Sequence, residues 1–178
     1  FLVGMIAAMK SQTGTVGFVG GMDIPLIRKF HGGYEQGAKY VNPDINVLMN
    51  MTGTTPEAWN NPTKGAELTK AQIDKGADVV YQAAGGTGIG VLQAAADAGI
   101  FGIGVDANQN YMHPGSVLTS MLKRVDVAVY NAFKSTMDGT YETGVFTLGL
   151  AEDGVGWSLD EHNASLITDE MKTAVEQA

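Results

Sequence analysis

The chain has 178 residues, 44% of them hydrophobic, with no cysteine and 24 glycines that fall at separate turns. It is long enough for one domain with a real core, or for one domain plus pieces of another. A net charge of −8 with 11 Lys and Arg argues against nucleic acid as a partner, the missing cysteine excludes disulfides and thiol chemistry, and no run approaches the roughly 18 apolar residues of a membrane helix.

"FLVGMIAAMK" (1–10) is apolar like the core of a secretion signal. No basic stretch precedes it and no small-residue cleavage pattern follows, so the pattern predicts a core helix ending at Lys10. A start on Phe1 inside such a helix is expected of a processed product or a fragment. "GTVGFVGG" (14–21) reads as a buried strand. "PLIRKFHGGYEQGAKYV" (25–41) reads as a helix with Leu26, Ile27, Phe30, Tyr34, Ala38 and Val41 on one stripe and Pro25 in its first turn. A strand over 45–51, a long polar loop over 52–62 and a helix over 63–76 closed by Gly76 follow. Next come a strand over 77–83, an alanine-rich helix over 87–99 with Thr87 as its cap, and a strand over 100–106. Beyond Pro114, residues 116–123 read as extended, 124–139 as a helix along Val125, Val129, Ala132, Phe133 and Thr136, 144–150 as a strand, and a last helix starts near Thr168.

Such alternation of short apolar strands with helices implies an α/β fold with a parallel, doubly wound sheet. Residues after 114 either extend that sheet or cross into a second lobe, and periodicity does not separate the two. Ligands of such sheets sit beyond the carboxyl ends of the strands. Those ends here are "GGMD" (20–23), "MTGT" (51–54), "QAAGGTG" (82–88) and "VDANQN" (105–110), every one polar or glycine-rich.

The glycine turn at 85–88 suggests a phosphate loop, but both standard patterns fail. Gly85 and Gly90 are followed by Val91 and Leu92 where Lys and Ser/Thr should stand, and the pattern begun by Gly86 and Gly88 meets Val at position 91. A ligand loop of another kind is the better reading. Asp106 ends a buried strand, where a carboxylate suits a ligand diol, a phosphoryl group or a helix cap. Lys123 lies in an otherwise apolar run and needs a partner, either a ligand oxygen or Asp106. Tyr81 is either a stacking ring or an ordinary strand aromatic with its hydroxyl in water. Trp59, in the polar loop, is either a recognition tip or a packing residue. His31, His113 and His162 share no metal-ligand spacing, no G-x-S-x-G surrounds a serine, and the carboxylate pairs at 152–153 and 160–161 stand in polar loops. With no catalytic constellation, metal set or cofactor motif, the residues favour a binder over an enzyme.

"VGFVGGMDIPLIRKFHGGYEQGAKYV", "GADVVYQAAGGTGIGVLQAAADAGIFGIGVDANQN" and "SVLTSMLKRVD" together resemble the basic membrane protein family, the substrate-binding lipoproteins of ABC importers that include purine nucleoside receptors. The resemblance runs from about Phe1 to at least Leu150. It implies a type I periplasmic-binding-protein fold, two lobes closing on a ligand by a hinge, with this chain holding one complete lobe and part of the other.

Carried over position by position, the resemblance implies that Tyr81 stacks on a base and that Gly86 lies at the sugar, the glycines at 85, 86 and 88 making room for a ribose. It implies that Asp106 accepts the ribose hydroxyls, that Lys123 reaches the same sugar, and, less directly because the loop is longer here, that Trp59 is a ligand aromatic. Members of the family carry further residues before the first helix. On that ground 14–113 is expected to be the second lobe, 1–13 the end of the first, and 114–178 the hinge crossover and a partial first lobe. The implied partners are a purine nucleoside or nucleobase, an ABC permease in the membrane, and a separate chain or segment supplying the missing lobe; nucleic acid, metal and cofactor are not implied. The implied location is the periplasm or a lipid anchor at the cell surface. A ligand-sensing regulatory domain of the same fold is the alternative reading, and an enzyme using Asp106 as phosphoacceptor or base is a third.

Overall fold

The computed structural model describes all 178 residues. Helix α1 (Leu2–Lys10) leads into strand β1 (Thr15–Met22), then α2 (Pro25–Val41), β2 (Asn46–Gly53), α3 (Pro62–Ile73), β3 (Val79–Ala83), α4 (Thr87–Asp97) and β4 (Phe101–Asp106). Strand β5 (Val117–Lys123), helix α5 (Val125–Met137), strand β6 (Val155–Trp157) and helix α6 (Asp169–Gln177) complete the chain. The strands form one sheet in the order β2-β1-β3-β4-β5-β6, parallel throughout except for the antiparallel β5–β6 pair. This is the parallel, helix-covered sheet that the alternation of apolar runs predicts.

Alternation within the strands divides the core. Val16 and Phe18 of β1, Val79, Tyr81 and Ala83 of β3, and Ile103 and Val105 of β4 face α1, α2 and α6 in the larger cluster, whereas Val19 and Val80 join Val91 of α4 on the other side. A period of two places residues 79, 81 and 83 on one face and residue 80 on the other. α1 meets α2 at backbone contact: a Cβ on Gly4 would collide with the Tyr34 carbonyl, and one on Gly37 with that of Phe1. Only glycine permits so close an approach.

Three differences from the sequence reading matter. First, α1 and α6 pack in the same core cluster as the central strands. Val3, Met5, Ile6 and Ala7 of α1 and Met171 and Val175 of α6 share the core cluster with Phe18 and Tyr81, so packing shows no break at residue 13, and β5 and β6 extend the sheet past residue 113. Periodicity marks an apolar helix face without saying which lobe covers it. Second, residues 144–150 form no strand. Val145 is fully exposed, and the place beside β5 is taken by β6, where Leu122 pairs with Gly156; an alternating apolar run needs an edge to pair with. Third, Thr87 is the first residue of α4, not its cap; the cap position is Gly86, with no side-chain hydrogen bond.

Helix α5 is the one α-helix with no buried residue. Val125, Val129, Tyr130, Phe133 and Met137 on it are all exposed. Native hydrogen exchange is expected to find the slowest amides in β1, β3 and β4, α1 close behind, and α5 the fastest-exchanging of the helices, because protection follows buried contacts. Protection in α5 equal to that in β3, measured on the monomeric chain, would contradict this.

Candidate ligand-binding cleft

In a sheet of this order the chain leaves β1 for β2 on one side and returns to β3 on the other, which opens a crevice at the carboxyl ends between them. A cleft of about 240 Å³ lies there. Its floor is Ala83 at the end of β3 with Ala84 and Gly85 after it, Val105 and Asp106 at the end of β4, and Lys123 at the end of β5. One wall is Leu26, Ile27 and Phe30 on the first turns of α2, and Trp59 completes the lining. Sites that enclose a small molecule usually reach about 300–1,000 Å³. This cleft therefore has the size of one wall of such a site.

Asp106 and Lys123 meet across neighbouring strands, with Nζ 2.9 Å from Oδ1 and each side chain about half exposed, at 50% and 49%. No other hydrogen bond reaches the carboxylate, so Oδ2 and two of the ammonium protons remain available to a ligand. Of the two partners that the sequence left open for Lys123, the structure shows Asp106. Asp106 is also one of two non-glycine residues in the left-handed region, with φ of +66°. Aspartate tolerates that conformation better than most residues, and strain of this kind gathers where function demands a particular aim.

A buried polar network holds the turn after β4 in place. Gln109 accepts the amide of Val105 at 2.9 Å and the Nε2 of Gln82 at 2.8 Å, and its own amide donates to Ser120 Oγ at 2.9 Å. Ser120 and Ser158 both donate to Asn110 Oδ1. Asn108 and Asn110 donate onward to Asp160. Desolvation alone would raise the Asp160 carboxyl, but these amides and the backbone of His162 hold it below the usual carboxylate range. The sequence reading did not single out this network. Its signal was present in Gln82 and Ser120, two polar residues inside apolar strands.

Trp59 ends a short 3-10 turn, Pro56–Trp59, inside the segment read as a loop. The turn is tied down through Thr87, which donates to the Ala58 carbonyl at 2.8 Å and accepts from the Asn61 amide at 2.7 Å. The indole lies against Gly21, where any Cβ would strike the ring. Trp59 is thus partly packed and partly open to the cleft.

Tyr81 is placed elsewhere. It is 1% exposed, with its ring 5.4 Å from Phe18 and 5.2 Å from Tyr34 between centroids, and it does not line the cleft. Burial pushes its phenol far above the ordinary value. Two residues short of the strand end and on the α2 side of the sheet, the ring has no face left for a ligand.

The glycine turn also differs from its reading. A Cβ on Gly86 would press on the Trp59 carbonyl and Asn60 Oδ1, each 3.2 Å away, and one on Gly88 would collide with the Gln82 amide. These glycines admit the Trp59 loop and Gln82, and only Gly85, with φ of +57°, borders the cleft. The amides of Gly85 and Gly86 make no hydrogen bond within the protein. They stand at the positive end of α4, where acceptor oxygens are favoured.

No helix is long and apolar enough to cross a membrane, and no group of three or more His, Asp or Glu could hold a metal ion. Similar proteins identify the cleft's setting. Basic membrane protein D of Borreliella burgdorferi is 38% identical over 170 residues, which is 91% of this chain and 48% of that protein. An uncharacterised lipoprotein of Pyrococcus abyssi is 40% identical over 173 residues, 89% of this chain and 42% of its own length. The chain therefore spans about half the length of the curated relatives it matches. A crystal structure of a solute-binding protein of an ABC transporter system from Aeropyrum pernix superposes with a TM-score of 0.78 at 33% identity, over 98% of this chain and 54% of that one. One described as a transcriptional activator of the comK gene from Bacillus halodurans superposes at 0.87 with 26% identity, over 100% of this chain and 59% of that one. The fold is the type I periplasmic-binding-protein fold, and the relatives' names place them among lipoproteins and ABC substrate-binding proteins, a class exported and lipid-anchored at the cell surface. With a family profile described as ABC transporter substrate-binding protein, PnrA-like, matching residues 1–177, the chain belongs to the basic membrane protein family.

Proposed function

We propose that this chain forms one lobe of an exported, lipid-anchored receptor that binds a purine nucleoside or related base and delivers it to an ABC permease. The observation that carries the reading is the placement of one indole and one carboxylate–ammonium pair around the same cleft. The indole offers a stacking face for a heterocycle, and Asp106 with Lys123 offers acceptors and donors for neighbouring hydroxyls. The pair also neutralises itself and no other charged side chain lines the cleft, so the site suits an uncharged ligand better than a phosphorylated one. A second lobe, from sequence beyond these 178 residues or from a separate chain, would supply the opposite wall. Catalysis has no role in this reading.

A receptor expressed at full length should release its ligand on denaturation, and mass spectrometry would identify it. Recovery of a purine nucleoside or base is the expected result, and recovery of a hexose or an amino acid would overturn the reading. Trp59→Ala should weaken nucleoside binding by about 1–3 kcal/mol, as for other base–aromatic stacks, while Trp59→Phe keeps most of the affinity. Equal losses by calorimetry would mean that the ring is not a platform.

A second reading is a ligand-sensing domain that controls transcription. It rests on the superposition with the Bacillus halodurans protein described as an activator. Permease and ATPase genes beside the gene for this chain would favour the importer, and their absence beside a regulated target would favour the sensor.

A further inference from the structure

The α5 segment is joined to the sheet by only two crossings. The chain leaves at Lys123–Val125 and returns at Asp153–Val155, and between them α5 has no buried residue. The two crossings touch each other. The Arg124 amide donates to the Gly154 carbonyl at 2.9 Å, continuing the β5–β6 ladder by one step. Above that bond the Arg124 guanidinium forks: Nη2 lies 3.0 Å from Asp126 Oδ2, and Nη1 lies 3.1 Å from Asp153 Oδ2. Asp126 is in the first turn of α5. Asp153 is in the turn that precedes β6, with φ of +53°, the other non-glycine residue in the left-handed region. Gly154 beside it admits no side chain, because a Cβ would meet the Leu148 backbone.

Three charged groups from three places thus meet on the two-strand connection, with a strained residue aiming one of them. We infer that Arg124 is the positioning residue of a hinge, its bridge from Asp126 to Asp153 fixing the angle at which the α5 segment leaves the lobe. A planar guanidinium can hold both carboxylates at once, which a lysine ammonium does with less geometric definition. The three side chains are between one-third and about two-thirds exposed, so the bridge adds little to folding stability. A bias of a few-fold between hinge angles is still a large effect on an opening equilibrium. The residue before Arg124 is Lys123, whose ammonium sits in the cleft. Neighbouring positions at the end of β5 therefore carry the ligand contact and the hinge contact. The inference rests on the two-lobed reading of the cleft and not on the identity of the ligand.

The absence of cysteine allows a clean test. Spin labels attached through Gln93→Cys on α4 and Thr136→Cys on α5, both exposed, would report the distance between the lobe and α5 by double electron–electron resonance. A narrow distribution is expected for the parent. Asp153→Asn keeps a residue that tolerates the left-handed region and severs only the link across the crossings. It should broaden the distribution at least twofold, and Arg124→Gln should do the same. High salt, which screens exposed pairs, should broaden the parent and leave both variants unchanged. An Asp153→Asn distribution identical to the parent's would overturn the proposal. So would broadening accompanied by loss of the far-ultraviolet circular dichroism signal, which would assign the pair to folding. The measurement needs no ligand, so a failure to recover a purine from the full-length receptor would leave its result intact.

Discussion

Tyr81→Ala is expected to destabilise the folded chain by about 3–5 kcal/mol, the cost of emptying an aromatic site in a packed core. Tyr81 is 1% exposed and touches Phe18 and Tyr34, whose own burial leaves little freedom to refill the space. Tyr81→Phe keeps the ring and its packing in the core cluster, so it should cost less than about 1.5 kcal/mol. Urea denaturation, with the slope checked for constancy, separates the two. If alanine left the midpoint in place and instead weakened ligand binding in the full-length receptor, the ring would be the stacking face that the family resemblance implies for it, and the core placement would be wrong.

Why Tyr81 lies in the core while Trp59 borders the cleft follows from what each carries in the sequence. Both are aromatics near strand ends. The decisive facts about Tyr81 are its parity with Val79 and Ala83 and the arrival of Tyr34 from α2, which begins 50 or more residues earlier in the chain. Parity is legible; the covering helix is not. The elements themselves were legible because each strand carries its own signal in a short apolar run and each helix in its stripe and cap. Helix α2 keeps the predicted bounds of 25–41, and Thr168 caps α6 by accepting the Met171 amide at 3.2 Å. The strand predicted over 144–150 failed because pairing is a property of two segments. Its alternation is real, but β6 occupies the edge of β5.

For the cleft, the sequence placed Asp106, Lys123 and Trp59 at strand ends and in a loop, and the structure brings all three together. What it concealed was long-range. The glycines at 86 and 88 announced a close approach, but the approaching groups are the Trp59–Asn60 loop and the Gln82 side chain. The stripe of Leu26, Ile27 and Phe30 read as core, yet its first turn rises past the sheet and walls the cleft, with Leu26 57% exposed. The network from Gln82 to Asp160 joins residues far apart in the chain, so the polar residues inside apolar strands that mark it do not say which partners they meet.

The remaining large effect concerns Asp106, where binding and backbone strain must be separated. Asp106→Ala should weaken nucleoside binding more than tenfold in the full-length receptor. A carboxylate that accepts ribose hydroxyls makes bonds worth about 1.5–3 kcal/mol each, and 1.4 kcal/mol is already a factor of ten. Alanine, however, also raises the cost of the φ of +66° at this site, since residues with a Cβ lose roughly 1–2 kcal/mol in the left-handed region. Asp106→Gly removes the carboxylate and relieves the strain together. Glycine should therefore match or exceed the parent in thermal stability and bind nucleoside as poorly as alanine does. Both variants also free Lys123 from its ion pair, which leaves an unpaired ammonium in the cleft and lowers any residual affinity for a neutral ligand. A free nucleobase, which has no ribose to lose, should be weakened much less by either change. Titration calorimetry with nucleoside and base on the same two variants decides the matter: equal losses for both ligands would mean that Asp106 does not meet the sugar, and full binding by the glycine variant would mean that the alanine effect was strain alone.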